Sequence, residues 1–154
     1  MNELPPVKHR IVVPLAPADA FELFTADIAR WWPFRSHSCA GDDALDVLFE
    51  PVVGGAVTEV ARDGSRHAWG RLTAWAPPDH FAMTWHPAQP SEFATALAVR
   101  FAAVAEGCEV VIEHGGWAAR GDDAGPVRDG YDKGWALVLG CLVDAATHPR
   151  ERPP

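Results

Sequence analysis

No run of this 154-residue chain approaches the roughly 18 consecutive apolar residues of a membrane-spanning helix. The opening residues, Met1-Asn2-Glu3-Leu4-Pro5-Pro6, lack the basic and apolar regions of a secretory leader. Cysteine is scarce: Cys39, Cys108 and Cys141 stand far apart, odd in number, with no CxxC spacing for zinc or redox chemistry. A reduced, cytoplasmic setting is expected. Positive charge is in deficit, 13 Lys+Arg against 21 Asp+Glu for a net charge of −8, so nucleic acid and anionic membrane surfaces are not expected partners. There is no GxSxG elbow, P-loop, HExxH or GxGxxG following a strand, and no catalytic residue is assigned on motif grounds. His37-Ser38-Cys39 offers two loosely spaced ligands in a loop, which is not a metal site. No cofactor is expected.

Tyrosine is nearly missing too, and this draws attention to what replaces it. One Tyr stands beside 7 Phe and 7 Trp, so much of the apolar volume comes from the largest and flattest side chain. With 48 % hydrophobic and 22 % charged residues the composition is that of a soluble globular fold, expected to form a single domain over residues 1–154. Its core would lie at about 7–146, with a Pro-rich tail fraying from 148 to 154. Alternation and turn residues predict a first strand over 7–13, closed by Pro14, then two short helices or one bent helix over 17–32 with Pro17 at the start and Pro33 beyond the end. The polar segment 34–43 reads as an exposed loop. Strands follow over 45–49, 56–61, 67–76, 79–86, 94–104 and 109–117, punctuated by Gly54-Gly55, Asp63-Gly64, Pro77-Pro78 and Glu106-Gly107. A flexible stretch leads to a closing helix over 127–147, on which Tyr131, Trp135, Val138, Leu139, Leu142 and Ala146 share one face.

Consecutive hairpins between terminal helices make an α+β fold. An antiparallel sheet must cover its apolar face, and the closing helix is the only long amphipathic element to do so. A curved sheet cannot touch a straight helix everywhere, so a gap for a small apolar ligand is expected between them. By alternation Phe81, Met83 and Trp85 share the inner face with Leu97, Val99 and Phe101 and with Val110, Ile112 and His114. Trp31 and Trp32, about a hundred degrees apart on a helix, are not expected to face the core together. Trp69 and Trp75 share a face opposite Gly70 and Leu72 unless a bulge intervenes.

The ordered run Phe24-Thr25, Ile28, Trp31-Trp32-Pro33, Phe49-Glu50-Pro51, Gly54-Gly55, Asp63-Gly64, Trp69-Gly70, Trp75-Ala76-Pro77-Pro78, Trp85, Glu113-His114-Gly115-Gly116-Trp117, Tyr131 and Gly134-Trp135 resembles the START-like (SRPBCC) superfamily. Within it, the run is similar to the branch of activator of heat-shock ATPase homologues. The resemblance spans about residues 7–146. It implies a helix-grip fold, in which a seven-stranded antiparallel sheet wraps the C-terminal helix in β-α-α-β6-α order around a hydrophobic pocket. Superfamily functions run from lipid and hormone binding to polyketide cyclisation, and fold alone does not choose among them.

Three readings of function follow. The first is a binding protein for a small hydrophobic or aromatic molecule, with Trp32, Met83, Trp85, Val99, Phe101, Ile112, His114, Tyr131, Trp135 and Val138 at the ligand. The second is a cyclase or hydrolase-like enzyme in which His114 acts as acid or base with Tyr131 or Glu59; Glu59 otherwise reads as solvated. The third is a chaperone-regulating or homodimerising module with Trp31, Trp32 and Trp117 as exposed anchors. Gly134, costly inside a helix, implies a packing reason or room for a ligand.

Overall fold

Strand periodicity carries through to the three-dimensional structure except where the backbone bulges. The structure, a computed structural model, describes residues 4–148; all but the first residue of the tail expected at 148–154 lies outside the described residues. The elements are β1 (Val7–Val13), α1 (Pro17–Phe24), a 3-10 turn at Ile28–Arg30, β2 (Ala44–Phe49), β3 (Ala56–Ala61), β4 (Arg66–Ala76), β5 (His80–Trp85), β6 (Thr95–Val104), β7 (Gly107–Gly115) and α2 (Ala124–Thr147). The seven strands form one antiparallel, curled sheet in the order β1-β7-β6-β5-β4-β3-β2, and with α2 they make a helix-grip fold. Among the described residues no helix is long and apolar enough to cross a membrane.

Local chemistry explains the helices. Pro17 opens α1 where its missing N–H is not needed, Asp19 sits at the positive end, and Ala20, Phe21, Leu23 and Phe24 form the buried side. The stretch expected to be flexible before the closing helix is a 3-10 turn, Trp117–Asp123, and α2 begins at Ala124, with Pro126 still inside the first turn where it breaks no hydrogen bond. β1 is tied to α2 by a hydrogen bond from His9 Nε2 to Asp132 Oδ1 at 2.8 Å, and Arg128 Nε, on α2, donates to the Pro5 carbonyl at 2.6 Å.

One expectation is corrected here, and one left conditional on a bulge is resolved. Trp31 and Trp32 are both buried, because Trp31 (φ −140°, ψ −21°) ends the 3-10 turn and is not helical, so helical spacing does not separate the two rings. On β4, Trp69 and Leu72 are both buried, and Trp75 is half-buried against Phe21, Phe49 and Phe81. The β4 register shifts once against β3 and once against β5, and each bulge returns a side chain to the core that strict alternation would turn outward. Gly70 makes the first shift possible: a Cβ there would lie 1.8 Å from the Thr84 carbonyl oxygen.

The concave face fills unevenly. α1 drops Phe21 and Phe24 onto Phe81 and Phe101, with ring centroids 5.1–6.0 Å apart. That half of the space between sheet and α2 is solid core, and the other half is not.

Candidate functional site

The open half is a cavity of about 240 Å³ lined by Trp32, Ser36, His37, Ser38, Cys39, Trp69, Trp85, Pro87, Ala88, Tyr131, Gly134, Trp135 and Val138. β4 and β5 supply Trp69 and Trp85, α2 supplies residues 131, 134, 135 and 138, and the segment 36–39 closes the side. Tyr131, Gly134, Trp135 and Val138 recur at helical spacing, which puts them on one stripe of α2.

The walls are mostly carbon. Four indoles line the cavity, and each N–H is donated to a protein acceptor: Trp32 to the His37 carbonyl (2.7 Å), Trp69 to Glu59 Oε1 (2.9 Å), Trp85 to the Tyr131 hydroxyl oxygen (3.1 Å) and Trp135 to His114 Nδ1 (2.9 Å). The rings meet at centroid distances of 5.1–6.4 Å, Trp32 with Trp135 and Trp69 with Trp85 edge to face and the other pairs tilted, and none is stacked face to face. Each ring is thus fixed by both packing and a hydrogen bond.

Of the sequence-predicted site residues, Trp32, Trp85, Tyr131, Trp135 and Val138 line this cavity. Met83, Val99, Phe101, Ile112 and His114 face inward as alternation predicts, but they are buried core and not among the lining residues. Phe101 is covered by α1, and His114 lies behind Trp135 and Tyr131, stacked on Trp117 at 4.5 Å.

His114 is wired as a structural group. The Trp135 N–H takes Nδ1 as acceptor, so Nε2 carries the proton and donates to Thr95 Oγ1 at 2.6 Å; that hydroxyl in turn donates to the Trp85 carbonyl at 3.2 Å. A second ring proton would have to sit at Nδ1 against the indole N–H. Desolvation accordingly pulls the His114 pKa down to about 3. The imidazole is therefore neutral and fully engaged. Among the described residues it has no carboxylate partner, and it does not border the cavity, which is the arrangement of a bracing histidine and not that of the acid or base in the second reading.

Glu59 overturns its solvated reading. It is fully buried, and its two oxygens accept from the Cys39 N–H (2.8 Å), the Ala40 N–H (2.7 Å) and the Trp69 indole (2.9 Å). This carboxyl group pins segment 37–40 against β3 and β4. The loop expected to be exposed is instead half-buried from 37 to 41, and it is the cavity's fourth wall. Burial, reinforced by the Glu59 charge, raises the Cys39 thiol pKa, so the group stays protonated. Trp31, Trp32 and Trp117 are all buried and cannot serve as exposed anchors.

Sequence reasoning missed Ser36, Pro87 and Ala88, which carry no periodicity, and gave no cavity role to Trp69, hidden by a bulge, or to His37 and Cys39. Gly134, costly by helix propensity, lies on the cavity lining, and a Cβ there would meet the His37 ring at ordinary contact distance, 3.7 Å from Nε2.

The family described as Activator of Hsp90 ATPase homolog 1-like protein matches this chain over residues 14–146. No curated protein sequence matches it. Among solved structures, an anthrahydroquino-γ-pyrone synthase, Txn09, solved in a complex, is 32% identical, with 86% of this chain and 90% of that chain covered at a TM-score of 0.58. The Aha1 dimer from Colwellia psychrerythraea is similar at 18% identity, 93% and 96% coverage and TM-score 0.67. Protein MLL2253 from Mesorhizobium loti is similar at 17% identity, 95% and 98% coverage and TM-score 0.69.

Proposed function

Because the chain belongs to the Activator of Hsp90 ATPase homolog 1-like family, whose fold leaves a gap between sheet and helix, we propose that it binds a small, flat, aromatic molecule in the indole-walled cavity. The observation that carries this reading is the wall itself: four tryptophans present carbon to a common space while their N–H groups are satisfied elsewhere. Such surface gains most from a planar hydrophobic guest. At about 240 Å³ the cavity falls below the roughly 300–1,000 Å³ of sites for drug-sized ligands, so the ligand has about two fused rings buried at a time. The 32% identity to a γ-pyrone synthase supports an aromatic ligand. The three free thiols fit a reducing compartment such as the cytosol.

Titration with naphthalene, followed by tryptophan fluorescence, tests the reading. A saturable change at one site per chain is expected, and its absence would sink the proposal. Gly134 supplies the matched control. Gly134→Ala adds a methyl at ordinary contact distance from His37 and should raise stability by up to about 1 kcal/mol through helix propensity. Gly134→Leu keeps that helical gain but must push its branched carbons into the cavity. Naphthalene affinity should fall at least about fiftyfold while the melting temperature does not drop. Retained affinity in Gly134→Leu would place the ligand elsewhere.

A further inference from the structure

We propose that the cavity selects aromatic ligands bearing carbonyl oxygens, gripped by two donors, the His37 Nε2–H and the Tyr131 O–H. This rests on the reading of the cavity as a site for a flat aromatic guest and names the chemistry that guest carries.

The argument begins with proton bookkeeping at Ser36. Its hydroxyl lies 2.6 Å from His37 Nδ1 and 3.5 Å from the Pro33 carbonyl oxygen. That carbonyl already accepts the backbone N–H groups of Ser36 at 3.2 Å and of His37 at 2.9 Å, which occupies its two lone pairs. The Ser36 proton therefore goes to Nδ1, and the His37 ring proton sits on Nε2. Nε2 is the atom that faces Gly134 across the lining, and the glycine's missing side chain leaves it uncovered.

Tyr131 repeats the pattern. Its hydroxyl oxygen accepts the Trp85 indole N–H, and among the described residues its own proton has no acceptor. Burial raises its pKa, which keeps that proton in place. Tyr131 and Gly134 are three residues apart on one stripe of α2, and His37, carried on the segment 36–39, faces that stripe at Gly134, so the two donors border the same cavity from adjoining walls. The remaining polar groups offer little to a ligand donor. Ser38 gives its proton to the Phe34 carbonyl and accepts from the Gly41 N–H, and both Glu59 oxygens are taken. A cavity that offers two uncommitted donors discriminates in favour of ligands bearing acceptor oxygens.

The test uses two isosteric two-ring probes, chromone, which carries a ring ketone, and naphthalene, which carries no polar atom. The quantity read is the ratio of their affinities in each variant. Tyr131→Phe and His37→Phe should each lower the chromone-to-naphthalene ratio roughly threefold to tenfold, and the double variant further. The chromone carbonyl stretch should move to lower wavenumber on binding the wild type and return towards its free value in the double variant. Ser36→Ala should weaken that shift and Ser36→Thr restore it, since the hydroxyl acts only by setting the His37 tautomer. An unchanged ratio in both single variants, or a carbonyl stretch unmoved on binding, overturns the donor pair while leaving the cavity reading intact. Failure of both probes to bind the wild type defeats the cavity reading and this inference together.

Discussion

Lowering the pH from 7 to 4.5 should remove roughly 2–3 kcal/mol of folding stability through His114 alone. In the unfolded chain this imidazole takes a proton near its ordinary pKa of 6.5; in the folded protein it does not do so until about pH 3. Between those values the unfolded state binds more protons than the native state, so acid pulls the equilibrium towards unfolding by about 1.4 kcal/mol per pH unit. Above pH 6.5 the contribution is flat, and below about pH 3 it stops growing. The cause is burial, which strips water from the cation; the Trp135 N–H also points at the lone pair a second proton would need. Urea unfolding at pH 7, 5.5 and 4.5 measures the effect. His114→Asn, which keeps an acceptor near Nδ1 but cannot titrate, should lose less stability than wild type over that range by the stated amount. Parallel pH profiles for the two proteins would mean that His114 protonates freely in the fold.

The second large effect belongs to Glu59. Its removal leaves two backbone N–H groups, those of Cys39 and Ala40, and the Trp69 indole N–H without acceptors in the interior. Unpaired buried donors cost about 1–3 kcal/mol each, with partial relief if segment 37–40 swings towards solvent. Glu59→Ala is therefore expected to lose about 3–5 kcal/mol, a fall in melting temperature of roughly 10 °C or more at this chain length. The amides of Cys39 and Ala40 should lose their protection against hydrogen exchange ahead of the β6 and β7 amides. Because this segment is a wall of the cavity, aromatic binding should weaken even under conditions where the sheet remains folded. A drop of less than about 2 °C with protection unchanged at Cys39 and Ala40 would refute the anchoring role.

Alternation and turn chemistry made the sheet legible. Val110, Ile112 and His114 on β7 face Phe101, Val99 and Leu97 on β6 in the register that period-two reasoning demands, and the stripe on α2 follows from spacing alone. What escaped was of three physical kinds. The first β4 bulge displaces Leu72 relative to Trp69, and its one mark in the sequence, Gly70, permits a bulge without requiring it. Glu59 is a charged residue inside because its acceptors are met by backbone N–H groups some twenty residues away, a pairing created by tertiary structure. Segment 34–43 is polar in sequence, yet its polarity is spent on internal bonds such as those of Ser38 and Ser36. So the cavity's apolar walls were half visible, whereas its polar rim was not. His114, the polar residue that alternation marked most clearly, is buried because it braces the wall.

The strand order has a bearing on how the chain reaches this state. From β2 to β7 every ladder joins consecutive strands and can close locally, but β1 pairs only with β7, as in Val7 with His114 and Val13 with Cys108. That ladder spans almost the whole domain, and its loop entropy must be met before its contacts can form. During synthesis β1 leaves the ribosome ahead of the other six strands and waits unpaired while roughly the next hundred residues appear. Its sequence suits the wait: Lys8, His9 and Arg10 interrupt the apolar residues, and such charge on an unpaired strand suppresses pairing with other chains. Once β7 and α2 arrive, two of these side chains turn into latches, Arg10 on Glu109 and His9 on Asp132, while Lys8 stays in solvent.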